Sequence, residues 1–317
     1  MRRGAEGWMR RRVVGVLWAA VLVAGAGALQ PGIARGQDGG TGSAARSSTR
    51  LLVFEEALRG TEDREVRWPV AVASASPEEL AVADAFGARL LVFRRLGAGW
   101  QAARGVDLPA APVDLVRDGG RYVVSLRGGG GLIALEGEEL LQRRLALPEG
   151  VVPGALAAVP GGGLLVHDRA AGRILRMAPD GRVLGETPGA GRVTGLAAAA
   201  GGVLAAFGDE GVLRRYDEAG RLEATWPLPA DGPVPPWPAG LAVTAGGRTL
   251  VVDRHNGRVV VLDPAGRPLG SGSRQGWDPG LLRFPEDLAL LPDGRIAVAD
   301  QGNGRIQLFR RSGEGGP

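Results

Sequence analysis

Beyond residue 50 the apolar residues come in short runs rather than at helical spacing. Examples are Leu51-Leu52-Val53-Phe54, Ala81-Val82-Ala83, Tyr122-Val123-Val124, Val259-Val260-Val261 and Ala297-Val298-Ala299. Runs of this length, separated by Gly, Pro, Asp and Asn, predict short strands and tight turns. Helix-period patterning is weak after the N-terminus, so the pattern predicts an all-β protein.

Two stretches of this pattern are near copies. Trp237–Val243 leads to Val251-Val252-Asp253-Arg254-His255-Asn256-Gly257-Arg258, and 47 residues later Phe284–Leu290 leads to Ala299-Asp300-Gln301-Gly302-Asn303-Gly304-Arg305. Self-similarity at this period marks a repeat architecture. Walking the frame backwards finds Asp168 with Arg173 and Asp84 with Arg89, each again five residues apart. Two degenerate copies lie between, with Leu126 and Ala206 at the marker position. The six markers 84, 126, 168, 206, 253 and 300 are spaced 42, 42, 38, 47 and 47 residues apart. Each unit reads as four short strands with two apolar faces, which it cannot bury alone. Six such units packed around an axis bury both, which is a six-bladed β-propeller over residues 51–311. The sixth unit runs out after its third strand, while Arg50–Glu55 is a strand without a unit. That N-terminal strand is expected to complete the last blade and close the ring. Residues 312–317 read as a flexible tail.

The succession of aromatic-Pro, apolar strand, Asp-Gly turn, Val-Ala-Asp and Asn-x-Arg-Ile resembles the NHL repeat. The likeness is strong in the fifth and sixth units, fair in the first and third, and weak in the second and fourth. The resemblance implies six blades, as in many such proteins. It also assigns Asp84, Asp168, Asp253 and Asp300 to turn construction rather than chemistry. An Asp at a strand end accepts hydrogen bonds from the amides of the following turn and pairs with Arg89, Arg173, Arg258 or Arg305. Asn256 and Asn303, each followed by Gly, suit turn positions of positive φ.

Charge changes the picture little once its source is located. Without the six arginines and single glutamate of residues 1–36, the chain's 38 basic and 34 acidic residues become 32 and 33. The body therefore offers no net positive charge for phosphate backbones, and no nucleic-acid partner is expected. All basic residues are Arg, which fits codon bias in a GC-rich genome better than a dedicated anion site. Residues 1–36 have the three parts of a secretory leader: Arg10-Arg11-Arg12, an apolar stretch from Val13 to Leu29, and small residues beyond. Cleavage falls after Ala28 or after Gly36; the alternative is an uncleaved anchor in the inner membrane. Export places the mature protein in the periplasm or outside the cell, as a monomer without membrane contact. Residues 37–50 read as a disordered lead-in. The absence of Cys removes disulfides, thiol catalysis and thiolate metal sites.

Candidate chemistry is sparse. His167 and His255 are the two histidines, in different repeats, and read as turn-proximal imidazoles. Ser125 has no nucleophile-elbow setting, and glycines 128–131 lack the Lys and helix of a phosphate loop. Aligning the innermost strands places Ala71, Asp114, Ala155, Gly195, Gly240 and Asp287 at comparable positions. Asp114 and Asp287 then share a channel mouth with Glu286, where a carboxylate group can take Ca²⁺; otherwise these acids are solvated or held by Arg. No other cofactor is expected. Trp68, Trp237 and Phe284 start equivalent strands and belong on one rim, with Trp226 and Trp277 in the long loops before the last two units. Such aromatics either plug gaps between blades or form a platform for a protein, peptide or glycan. The expectation is a non-catalytic binding or scaffolding module. The alternative is a metal-dependent, lactonase-like hydrolase or a lyase with its site in the channel.

Overall fold

The computed structural model of the chain describes residues 51–97 and 99–312. The leader, the lead-in and residues 313–317 of the tail lie outside the described residues. Those described form six antiparallel four-stranded sheets, each a blade. The innermost strands are Pro69–Ser76, Pro112–Asp118, Pro153–Ala158, Gly195–Ala199, Pro238–Val243 and Asp287–Leu290. Each packs against the next, and the last against the first, which closes a ring around an axial cavity. The N-terminal strand Leu52–Leu58 pairs with Arg305–Arg311 and supplies the outer strand of blade six, as the unpaired run at residues 50–55 predicts.

The core is divided among the blade interfaces. Leu80 and Val82 point from blade one towards blade six, while Ala81 and Ala83 point towards blade two. Alternate side chains leave opposite faces of a strand, and here both faces are buried, so the second and third strands read as continuous apolar runs. Six apolar clusters result, one at each interface.

The Asp markers close the turn between second and third strands. Asp84, Asp168, Asp253 and Asp300 stand directly opposite Arg89, Arg173, Arg258 and Arg305 in the ladder. Each carboxylate accepts from its Arg Nε at 2.8–3.2 Å. Each also accepts from the backbone N–H leading into the innermost strand, at Trp68, Val152, Trp237 and Arg283. Two local expectations need correction. In blade four the residue opposite the third strand's start is Phe207, facing Val212, not Ala206. That copy has lost both Asp and Arg, so only the ladder register locates it. Positive φ in the fifth and sixth turns falls on Gly257 and Gly304 rather than on the asparagines. Asn256 and Asn303 instead donate from Nδ2 to Asp253 and Asp300 at 2.8 Å.

Candidate functional site

One end of the propeller is defined by a repeated backbone hydrogen bond. In blades one, two, three and five the N–H after the marker donates to the residue preceding the innermost strand: Ala85 to Trp68, Arg127 to Ala111, Arg169 to Val152 and Arg254 to Trp237, at 2.8–3.0 Å. In these four blades the link brings the residue after the marker and the start of the innermost strand to the same mouth. Between the innermost strands lies a cavity of about 1290 Å³.

Asp114 and Asp287 both line this cavity. Neither is a solvated acid. Asp114 accepts from the N–H of Leu156 in blade three and from its neighbour Leu115, both at 2.7 Å. Asp287 accepts from the N–H of Val72 at 2.9 Å, across the seam between blades six and one. Both side chains are thus clasps from one blade to the next. By surface area they are only half-buried, but the surface left faces the cavity rather than bulk water, so desolvation dominates. Burial pushes the Asp114 carboxyl up to about 7, against the hydrogen bonds from Leu156 and Leu115. Burial raises Asp287 well above the usual carboxylate range, and the nearby Asp114 adds to it. Glu286 turns to Arg254, whose Nε donates to it at 2.6 Å; burial nevertheless raises its pKa.

Calcium finds no suitable donor set here. The oxygens of Asp114 and Asp287 already accept backbone N–H groups, and Glu286 is held by Arg254. Among the described residues no three His, Asp or Glu side chains are grouped to hold a metal. Hard cations need several converging oxygens, so the residues present do not fit the ion.

The raised acids carry a pH signature. A carboxyl with a higher pKa folded than unfolded binds extra protons in the native state, so stability falls as pH rises. Its contribution is complete below the ordinary value of 3.8 and is lost as pH passes about 7. The melting temperature of the native protein is expected to decline across that window more than that of Asp114→Asn. Parallel profiles would remove Asp114 as the cause.

The mouth holds more than the sequence analysis assigned to it. His167, 2% exposed, lines the cavity from blade three. Its Nε2 lies 2.9 Å from the Gly191 carbonyl oxygen, so Nε2 carries the proton and Nδ1 is a bare acceptor. Nδ1 has no partner, and burial lowers the pKa of the ring. Arg127, Arg169 and Arg192 also line the cavity and are exposed. Arg127 and Arg169 make no side-chain hydrogen bond or ion pair with another described residue. Arg192 approaches Asp209 only at 3.9 Å, both side chains being open to water. The signal was in the sequence as residues one place after a marker: Leu126-Arg127, Asp168-Arg169 and Asp253-Arg254.

The aromatic set divides. Trp68 is 50% exposed and Trp277 65%. Trp277 lies beneath the Arg283 guanidinium at 3.7 Å, and Phe284 sits between Arg254 and Arg283 at 5.3 and 5.4 Å. Trp237 is half-buried, tilted against His255 with ring centroids 5.1 Å apart and seated over Gly208, where any Cβ would collide with its ring. It plugs a gap between blades. Trp226 is not in a loop: it belongs to the outer strand of blade four, Leu222–Pro227. Its indole covers Gly266 of blade five, which only a side chain lacking Cβ permits. Phe86, outside the sequence-derived set, is 65% exposed in the turn after Asp84.

The fold defines a six-bladed β-propeller. The NHL repeat model matches residues 282–309, which run from the approach to blade six through its third strand. No curated protein matches the chain. Among solved structures, a streptogramin B lyase superposes with a TM-score of 0.61 at 12% identity, covering 82% of this chain and 98% of the other. A catalytically inactive virginiamycin B lyase from Staphylococcus aureus with quinupristin gives 0.59 at 11% identity, covering 82% and 88%. The selenomethionine-substituted form of that lyase gives 0.55 at 12%, with the same coverage. At these identities the likeness is one of fold.

Proposed function

We propose that the protein is an exported, non-catalytic binding or scaffolding module that captures a protein, peptide or glycan partner on the mouth of the propeller. One observation carries this reading: the three exposed aromatics among the described residues are Trp68, before the first innermost strand, Phe86, in the marker turn linked to it, and Trp277, against Arg283 ahead of the last innermost strand. A folded chain gains nothing by leaving such rings in water, whereas aromatic side chains concentrate binding energy at interfaces. The leader supports export, and the balanced charge of the body argues against a nucleic-acid partner.

The test is capture on peptide and glycan arrays by the mature protein, with Trp277→Ser and Phe86→Ser alongside. Both side chains are exposed, so the variants are expected to melt like the native protein and to lose most of the captured signal. Capture of nothing, or capture indifferent to both substitutions, overturns the reading.

A second reading, a hydrolase or lyase with its site in the channel, is favoured by Asp114. A carboxyl pushed up to about 7 can exchange protons near neutrality, and the fold is shared with structures described as lyases. Its metal-dependent form lacks a donor set. Turnover of any substrate that disappears in a folded Asp114→Asn variant would favour this second reading.

A further inference from the structure

We infer that the mouth between blades two, three and four is the seat of an acidic peptide segment, its carboxylates held by Arg127, Arg169 and Arg192 and a backbone N–H received by His167. This rests on the binding-module reading and names the chemistry of the partner.

The first observation is how charge is arranged rather than how much there is. The body of the chain is nearly neutral, but at the mouth the acids are already engaged by backbone or arginine partners while three guanidinium groups are not. The acids are drawn inward: Asp84, Asp168, Asp253 and Asp300 are almost fully buried, and Asp114 and Asp287 are committed to neighbouring backbones. Arg258 and Arg305 are buried with their aspartates, and Arg254 holds Glu286, which also lines the cavity, but three other arginines remain exposed. Arg127 and Arg169 leave blades two and three from the same position in the repeat, and Arg192 reaches in from the connection to blade four. All three border one cavity without a side-chain hydrogen bond, although Arg127 feels the charge of Glu286 and Arg192 that of Asp209. A guanidinium presents a planar fork of donors that matches a carboxylate, and several together favour a ligand with more than one.

The second observation is independent of the arginines. His167 Nδ1 is a buried acceptor left without a donor, and such groups are rare in native interiors. It faces the same cavity, beside the stem of Arg169: a Cβ placed on Gly154 would meet Arg169 Cγ at 2.7 Å and His167 Nδ1 at 3.0 Å. Gly154 therefore leaves the arginine stem free to lie there. Movement of that stem towards a ligand uncovers Nδ1. The missing partner must donate, because the Gly191 carbonyl already fixes the proton on Nε2. A peptide supplies both functions at short range, carboxylates from its side chains and N–H groups from its backbone.

The decisive experiment titrates the full mature protein with a fluorescent peptide carrying spaced glutamates and with its glutamine counterpart. The glutamate peptide is expected to bind roughly ten- to a hundred-fold more tightly, the scale of hydrogen bonds to charged groups, and to weaken as salt is raised. The combined Arg127→Ala, Arg169→Ala and Arg192→Ala variant is expected to erase that preference without a change in melting. Arg182→Ala and Arg221→Ala, exposed on outer turns, leave it intact. Because the chain has two histidines, ¹⁵N-histidine NMR reports the contact directly: bound peptide shifts Nδ1 of His167 and leaves His255 in place. Equal binding of the two peptides, a still His167 resonance, or tighter binding of an oligonucleotide or uronate oligosaccharide overturns the inference. In the first of these outcomes the binding-module reading stands; capture of nothing on the arrays removes both.

Discussion

A chain beginning at Thr61 is expected to lose the cooperative melting expected of one beginning at Ser47. The strand Leu52–Leu58 is the outer strand of blade six, paired with Arg305–Arg311 over six registered positions. Leu52 and Leu58 are 5% and 4% exposed, and Phe54 meets Phe309 edge-on with ring centroids 6.1 Å apart. Glu55 pairs with Arg310. Removing the strand uncovers Phe309, leaves a strand edge unpaired and opens the seam beside blade five, where Gly272 packs against Leu52. Burying each leucine is worth about 1.5–3 kcal/mol. With the lost ladder bonds, the total is on the order of 5 kcal/mol, which is comparable to the whole stability of many domains. Calorimetry of the two chains decides the matter. A synthetic peptide spanning residues 51–60 should restore part of the lost melting temperature by pairing with the free edge. Identical melting of the two chains would falsify the idea that chain ends latch the ring.

Asp300→Ala is expected to cost about 3–5 kcal/mol, well above the same change at Asp168. Asp300 is fully buried, and it accepts from Arg283 N, Asn303 Nδ2, Arg305 Nε and Gln307 Nε2 at 2.7–2.8 Å. Its partner Arg305 has a side chain 2% exposed, so deleting the carboxylate strands a buried cation. Arg173, the partner of Asp168, is 31% exposed and also reaches Glu186, so water and a second acid relieve it. There the loss is expected to be about 1–3 kcal/mol, mainly unsatisfied turn amides. Urea denaturation of the two variants measures the difference. Adding Arg305→Met to Asp300→Ala is expected to recover part of the loss, since an apolar side chain in that place carries no orphaned charge. Equal costs at the two positions would show that burial of the arginine is not the controlling factor.

The contrast between these two aspartates illustrates why the repeat was easier to read than the site. All four markers obey one spacing rule, Asp to Arg in five residues, because a single turn geometry imposes it in each blade. The depth of each arginine depends on the connection lying over it. Pro229 and Asp231 cover Arg258, and Asp278 with Leu281 covers Arg305; no periodic signal encodes that cover. The same holds at the mouth. Asp114 and Asp287 fell into one column of the repeat, but their engagement with Leu156 and Val72 depends on the neighbouring blade. Trp226 looked like part of a loop because Pro227 follows it. Pairing with Leu213 instead makes it strand, and Pro227 continues it opposite Val212, since an outer edge tolerates a residue without an N–H.

Within one blade, then, the sequence by itself determined a great deal. Alternation and turn residues specify strands, the Asp–Arg interval specifies the turn, and six copies with an unmatched N-terminal strand specify a closed ring. These are short-range or periodic constraints, repeated often enough to show through two degenerate copies. What only the tertiary structure decided is what happens between blades and at the axis. Arg127, Arg169 and Arg192 come from separate units, and His167 reads alone as an ordinary turn neighbour. Closing the ring brings these side chains to one cavity, ties Asp114 and Asp287 to neighbouring backbones and leaves three guanidinium groups exposed. Contacts of that kind depend on where neighbouring blades place their chains in space, and a pattern along one chain does not contain that distance.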